Sequence, residues 1–210
     1  MMALTPPFLF VHVPKTGGNS IQNILRRYSE DEILAKEPYQ DGVERFEVRN
    51  PTYGFAKHSP LSEYREKLPA ETYARLFKFA CVRNPWEWAI SYYFSPHRQV
   101  GGFTRESFVE FLNGAPPMTY FLRERPGQPL AEVVRNFDHL MRYETLQADF
   151  DAVCDRLGIA RQVLPRVNAS TRGRVEDYYD EETVELVRNR FAEDVELLGY
   201  DVPWAGRQYA

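Results

Sequence analysis

A short apolar segment, followed by a glycine-containing loop and a helical pattern, constrains this chain more than any other feature. Residues 8–13 (FLFVHV) are apolar, β-branched or aromatic, which is typical of a buried strand. Residues 15–20 (KTGGNS) form a loop of small residues, and apolar residues then recur at 21, 24, 25 and 28, which is helical spacing. This succession predicts the opening unit of an α/β fold that binds a nucleotide.

Two later units repeat the order of strand and helix. Residues 76–82 (LFKFACV) predict a strand that runs into a helix over 85–94, with Asn84 as its N-cap. Residues 137–143 predict another strand, and a helix over 144–157 follows it. Alternation of this kind predicts a three-layer α/β fold with a central, mainly parallel sheet and helices on both faces.

The remaining patterns predict further elements along the chain. The sequence predicts an irregular segment over 36–52, a strand over 53–58, a short helix from 59 to 68, a helix over 106–112, a connecting loop or flap over 113–130, and one long helix over 180–198.

Composition excludes several classes of protein. Hydrophobic residues make up 43% of the 210 residues and charged residues 27%, as in ordinary globular domains, so we expect one domain over 1–210. The net charge of −4 argues against bulk binding of nucleic acid or anionic membranes, so an anionic ligand needs a local cluster of cations. The sequence predicts no signal peptide and no membrane span, hence a cytoplasmic location, and it indicates no oligomeric state.

The two cysteines, Cys81 and Cys154, are too few for a disulfide scaffold or a cysteine-rich zinc site. Both lie in apolar patterns and are predicted to be buried, reduced thiols.

The loop over 15–20 has the features of a cradle for a phosphate or sulfate group. Small residues let backbone N–H groups face an anion, and the N-terminus of the following helix adds its dipole. A Walker A loop would place its lysine after the glycines, whereas here the lysine comes first, and no acidic pair is present to hold magnesium. We therefore expect no metal. The residues predicted to contact the anion are Lys15, Thr16, Gly17, Gly18, Asn19 and Ser20.

A second anion site is predicted at the end of the strand over 76–82. Arg83 directly follows that strand at its carboxyl end, where open α/β sheets bind ligands. Ser91 lies eight residues later, about two helical turns along the next helix, near the face of residue 84. A guanidinium and a hydroxyl that converge there would suit a second phosphate.

Together, HVPKTGGNSI (12–21) and RNPWEWAISYYF (83–94) resemble the two signature segments of the sulfotransferase superfamily. The resemblance is greatest to bacterial relatives of the heparan- and chondroitin-type carbohydrate sulfotransferases. It implies a fold related to the P-loop kinases and 3′-phosphoadenosine 5′-phosphosulfate (PAPS) as donor, with adenosine 3′,5′-bisphosphate as product. It also implies that the 15–20 loop holds the 5′-phosphosulfate, and that Arg83 and Ser91 hold the 3′-phosphate.

The resemblance extends to residues 140–159, to VNAST (167–171) and to residues 178–201. In the family, the region around VNAST closes over the nucleotide, which implies contacts from Thr171, Arg172 and Arg174. One departure is that many members carry an arginine where this chain has Trp88, which leaves open what supports Arg83 and Ser91.

Transfer of a sulfuryl group needs positive charge on the leaving phosphate, a role that suits Lys15, and a base for the acceptor's proton. KHSPL (57–61) resembles the segment in which the carbohydrate 2-O-sulfotransferases carry their catalytic histidine, so His58 is the predicted base. His12 is predicted to be a packed strand residue, and His97 and His139 to be structural or exposed.

The sequence thus predicts transfer of a sulfuryl group from PAPS to a hydroxyl or amine of a carbohydrate or small alcohol. A P-loop-type ATP-dependent kinase and a non-catalytic nucleotide-binding module are the alternatives. A requirement for magnesium would favour the kinase.

Overall fold

The computed structural model describes residues 1–35, 46–95, 98, 100–165 and 173–204, with the backbone alone at 33–35 and 46–48. Its strands are β1 (Met2–Leu4), β2 (Pro7–Val11), β3 (Glu32–Ala35), β4 (Phe46–Arg49), β5 (Phe77–Val82) and β6 (His139–Arg142). Its α-helices are α1 (Gly18–Leu25), α2 (Leu61–Lys67), α3 (Ala70–Arg75), α4 (Pro85–Tyr93), α5 (Arg105–Gly114), α6 (Met118–Leu122), α7 (Leu130–Val133), α8 (Leu146–Leu157), α9 (Glu181–Arg190) and α10 (Ala192–Leu198).

The central sheet has the strand order β1-β2-β5-β6. Strand β5 pairs in parallel with β2 and with β6, and the short β1 pairs antiparallel with the outer side of β2. The predicted mainly parallel sheet is therefore confirmed. The first strand was not predicted, since three residues are too few for an alternating pattern to show.

Side chains of β2 and β5 alternate between two separate cores, one on each face of the sheet. Leu9 and Val82 belong to a core with the α4 indoles, whereas Phe10 and Phe79 pack with α1 and α8. This alternation is the period of two that a strand imposes. The fold is thus a three-layer α/β structure with helices on both faces.

The structure corrects the predictions over residues 46–58, whereas residues 36–45 of the predicted irregular segment lie outside the described residues. Residues 46–49, predicted to be irregular, form β4, which pairs antiparallel with β3. Residues 53–58 are not a strand, and a single bridge joins Arg49 to Ala56. The Asn50 side chain accepts hydrogen bonds from the N–H groups of Thr52 and Tyr53, and Gly54 has φ +71°, so the chain turns here.

Two later predictions are also corrected. The predicted loop over 113–130 contains α6, which its flanking prolines conceal in the sequence. The predicted long helix over 180–198 is broken at Phe191, whose φ of −113° and ψ of 34° leave the helical region. The break brings Asp194 of α10 onto the backbone N–H groups of Met118 and Thr119, each 2.8 Å from the carboxylate.

Both cysteines are buried free thiols, as predicted. Burial raises the pKa of each, and most strongly that of Cys81. They are therefore packing residues of the core rather than nucleophiles.

Candidate functional site

The carboxyl ends of β2, β5 and β6 meet at one edge of the sheet, and each is followed by a chemically distinct segment. The loop from Pro14 follows β2, Arg83 follows β5, and Tyr143 follows β6. Because parallel strands end side by side, residues distant in sequence come together there.

The loop after β2 presents the N-terminus of α1. Gly17 is the N-cap residue, with φ +84°, and no side chain in the described part of the chain caps this helix. The helix also has no acidic residue in its first turn. Its first N–H groups and its positive dipole end are the elements that bind phosphate or sulfate groups.

Both loop glycines are needed for close packing. A Cβ atom on Gly18 would lie 2.1 Å from Cδ2 of His12 and would overlap the imidazole ring. A Cβ atom on Gly17 would lie 2.6 Å from Cδ2 of Leu146 and 3.4 Å from the Tyr143 ring. The loop therefore lies directly against the end of β2 on one side and against the segment after β6 on the other.

Two hydroxyl groups predicted to face an anion already donate to backbone carbonyls. Thr16 is fully buried, and its hydroxyl donates to the Val13 carbonyl at 2.9 Å. The Ser20 hydroxyl donates to the Pro165 carbonyl at 2.8 Å. The groups that the loop offers an anion are accordingly its backbone N–H groups and the half-buried Lys15 and Asn19.

Arg83 is held in place by three neighbours. One guanidinium nitrogen lies 3.2 Å from the Glu87 carboxylate, the other donates to the Lys15 carbonyl at 3.4 Å, and Cζ lies 4.0 Å from the centre of the Tyr143 ring. Its Nε is buried and has no hydrogen-bond acceptor among the described residues. The guanidinium as a whole is only partly buried and lies next to the loop over 15–20, so its exposed terminal nitrogens are suited to a second anionic group.

The residue after Arg83 is fixed from two sides. The Asn84 N–H donates to the Glu144 carboxylate at 2.7 Å, and its side-chain amide donates to the Asp201 carbonyl at 2.8 Å. Tyr200 donates its hydroxyl to the same Glu144 carboxylate at 2.7 Å. Burial and this carboxylate both raise the pKa of Tyr200. Asn84 also caps α4, as predicted, by accepting from the Trp86 N–H.

Trp88 stands at the position where the resemblance leads one to expect an arginine, and it contacts Pro14, the residue directly before the loop over 15–20. Its indole Nε1 donates to the Pro14 carbonyl at 2.8 Å, and the residue is fully buried. Ser91 lies one turn further along α4 and is 6% exposed. Support for the loop thus comes from an aromatic side chain.

His58 lies in a turn rather than at a strand end, yet it reaches the same edge of the sheet. Its Nδ1 lies 2.9 Å from the His12 carbonyl oxygen. A carbonyl only accepts, so Nδ1 carries the proton and Nε2 is the basic nitrogen of the neutral ring. The two imidazole rings are 4.4 Å apart.

His12 is a packed residue, as predicted, and lies just beyond β2. It is 3% exposed, its Nδ1 lies 2.9 Å from the Gln22 amide oxygen, and its ring stacks on Phe10. Burial, and after it the positive charges of His58 and Lys57, hold the pKa of His12 well below its ordinary value. The ring is therefore neutral, and it lines one side of the site.

Five further residues were named from the sequence, and the structure describes two of them. Thr171, Arg172 and His97 lie outside the described residues. Arg174 is exposed, and its guanidinium pairs with the Glu176 carboxylate. His139 lies on β6, where its Nε2 is buried with no partner among the described residues.

Sequence reasoning missed Tyr143, Glu144 and the loop contact of Trp88. The rule that singled out Arg83, its position directly after a buried strand, applies equally to Tyr143 and Glu144 after β6. No sequence signal reveals the Trp88 contact, because it depends on how α4 packs against the loop.

Among the described residues there is neither a candidate metal site nor a candidate membrane span. They contain no group of three or more His, Cys, Asp or Glu side chains arranged to hold a metal ion. No helix among them is both long and apolar enough to span a membrane.

Comparison with known proteins agrees with this geometry. A sequence model described as the sulfotransferase family matches residues 1–201. No curated protein and no solved structure gave a significant match.

Proposed function

Because this chain belongs to the sulfotransferase family, we propose that it transfers a sulfuryl group from PAPS to a hydroxyl or amine of an acceptor. A carbohydrate or a small alcohol is the acceptor class that the resemblance favours. Sulfuryl transfer itself follows from the family, whereas the donor, the acceptor and the residue roles are part of the proposal.

The observation that supports this proposal most is the adjacency of two anion-binding elements. The uncapped start of α1 and the guanidinium of Arg83 are linked through the Lys15 carbonyl, 3.4 Å from that guanidinium. A donor with phosphate groups at both the 3′ and 5′ positions needs two such elements. The loop over 15–20 would hold the 5′-phosphosulfate, and Arg83 with Ser91 would hold the 3′-phosphate. Thr171, Arg172 and Arg174 remain proposed contacts.

The chemistry divides between two side chains. PAPS supplies an activated sulfuryl group, joined to a phosphate oxygen. Lys15 places positive charge where negative charge grows on that oxygen as the sulfur–oxygen bond breaks. His58 takes the acceptor's proton on Nε2, since its Nδ1–H is directed to the His12 carbonyl. The transferred group carries less charge than a phosphoryl group, so the scheme needs no metal.

Thermal unfolding with added nucleotides tests the proposal. A ligand present at 100 times its Kd stabilises a protein by about 2.7 kcal/mol. We expect adenosine 3′,5′-bisphosphate without magnesium to raise the melting temperature, and ATP with magnesium to have little effect. A larger effect of ATP with magnesium would favour a kinase, and equal or absent effects would refute the proposal. Binding of the bisphosphate without any sulfuryl transfer would instead indicate a nucleotide-binding module.

A further inference from the structure

The two peptide groups that flank Lys15 are both held by side chains from outside the loop. The Pro14 carbonyl, before Lys15, accepts the Trp88 indole N–H at 2.8 Å. The Lys15 carbonyl itself accepts the Arg83 guanidinium at 3.4 Å. Of the two hydrogen bonds, that from Trp88 is the shorter.

Lys15 needs such support because its backbone is strained. Its φ is +66°, in the left-handed region, where a residue with a Cβ atom is seldom found. Conformations of this kind persist only where the surrounding structure imposes them, and they cluster at functional sites. The φ angle is the rotation between the Pro14–Lys15 peptide plane and the carbonyl carbon of Lys15, so the bond from Trp88 restrains one side of this rotation and the bond from Arg83 restrains the other.

The packing around Trp88 fixes the direction of its indole N–H. The residue is fully buried, and its ring lies 5.2 Å from that of Tyr92 and 5.3 Å, edge-on, from that of Phe191. An indole packed on two sides cannot turn away from its acceptor. Its N–H therefore holds the Pro14 carbonyl in one orientation.

We propose that Trp88 is a positioning residue, which holds Lys15 in its left-handed conformation and so directs the lysine and the adjacent N–H groups at the donor's 5′ group. This inference rests on the proposed function, because it assigns the 5′ group to the loop over 15–20.

The chain offers a matched control on the same helix. Trp86 is also fully buried, and its indole N–H also donates to a backbone carbonyl, that of Val184, at 3.1 Å. That carbonyl belongs to α9 and not to the loop. Replacing either tryptophan by phenylalanine removes one buried indole hydrogen bond, but only Trp88→Phe releases Pro14.

The experiment measures, by calorimetry, the affinities of wild type, Trp88→Phe and Trp86→Phe for adenosine 3′,5′-bisphosphate and adenosine 3′-monophosphate. The ratio of the two affinities isolates the contribution of the 5′-phosphate. We expect Trp88→Phe to lower this ratio about tenfold, the scale of one lost hydrogen bond to a charged group. Trp86→Phe should leave the ratio unchanged although it loses similar stability.

A Trp88→Phe protein with the wild-type ratio would overturn the inference, as would an equal loss of the ratio in Trp86→Phe. A wild-type protein with no preference for the 5′-phosphate would refute the proposed function itself, so the two failures are distinguishable. If Trp88→Phe does not fold, 3-benzothienylalanine at position 88 keeps the bicyclic shape without the N–H, and the same ratio decides the question.

Discussion

The contact between Gly18 and His12 makes the substitution Gly18→Ala the sharpest test of the described geometry. The new Cβ atom would lie 2.1 Å from Cδ2 and 2.2 Å from Nε2 of His12, whereas ordinary contacts begin near 3.4 Å. The imidazole ring must therefore move by more than 1 Å. It has little room to do so, since the residue is 3% exposed and its Nδ1 is bonded to Gln22.

The cost has two parts. Overpacking a close-packed core costs about 1–3 kcal/mol, and loss of the bond between His12 and Gln22 adds about 1 kcal/mol. We expect the free energy of unfolding to fall by about 2–4 kcal/mol. At about 2–4 °C per kcal/mol for a chain of this size, the melting temperature falls by roughly 5–15 °C.

Urea and thermal unfolding measure this loss, with Gly114→Ala as the control. Gly114 ends α5, and a Cβ atom there would meet nothing within 4 Å, so the same substitution should be neutral or slightly stabilising. A double-mutant cycle with His12→Ala identifies the partner. Once the imidazole is gone, Gly18→Ala should cost at least about 1 kcal/mol less than in wild type.

Two results would contradict this reasoning. One is a Gly18→Ala protein within about 0.5 kcal/mol of wild type, the range of an ordinary surface substitution. The other is a penalty that is unchanged in the His12→Ala background, which would mean that another group is displaced.

Further predictions concern the two anion-binding elements, the base and one buried carboxylate. Arg83→Ala should weaken binding of adenosine 3′,5′-bisphosphate by about 1.5–3 kcal/mol in calorimetry, and binding of adenosine 5′-monophosphate far less, since only the long bond of 3.4 Å from Arg83 to the Lys15 carbonyl supports the 5′ loop; a variant that still discriminates the 3′-phosphate would contradict the assignment. Lys15→Ala should lower kcat more than nucleotide affinity in steady-state assays, because the charge it stabilises develops in the transition state; a loss of affinity alone would make it a plain binding residue. His58→Ala should lower kcat by roughly 10²–10⁴ with nearly unchanged nucleotide binding; near-wild-type turnover would move the base role elsewhere. Burial raises the pKa of the Asp194 carboxyl from 3.8 to about 6. The folded protein therefore binds a proton at this carboxyl more tightly than the unfolded chain does. As a result, the free energy of unfolding falls as the pH rises from about 4 to about 6. Across that range, urea unfolding should show wild type losing up to about 3 kcal/mol relative to Asp194→Asn, and parallel pH curves would refute the assignment.

The strands that carry the site were predictable because each is a short apolar run that stops at a proline or a charged residue. The runs before Pro14 and Arg83 have this form, and both became parallel neighbours in the sheet. Local chemistry also gave the α4 cap, since Asn84 followed by Pro85 is a strong helix start.

The remainder depends on contacts between distant residues. Residues 53–58 have strand composition, but the Asn50 side chain turns the backbone there. The period of the last helix continues through Phe191, yet the helix breaks there, and Asp194 beyond the break binds the start of α6. A propensity scale contains neither interaction.

The site was only half predictable for the same reason. Lys15, Arg83 and His58 follow local patterns or the resemblance, but their supporting groups do not. Trp88 contacts Pro14, Tyr143 contacts Arg83, and Glu144 contacts Asn84. The two residues of each pair lie 60 or more positions apart in the sequence. Which side chain supports which can be read only once the layers are packed.

The segment after α10 acts on the site through the path of its backbone as well as through a side chain. Tyr200 reaches Glu144 with its hydroxyl, whereas Asp201 reaches the Asn84 amide with its main-chain carbonyl. The Asp201 carboxylate makes only exposed bonds, to Arg188 and to the Val202 N–H, so position 201 should tolerate substitution better than position 200. Deleting Tyr200 would be worse than a substitution at either position, because it removes the hydroxyl from Glu144 and at the same time shifts the Asp201 carbonyl away from Asn84. In this short segment, a change of length would alter the groups that support Asn84 and so displace Arg83, whereas a change of the side chain at 201 would not.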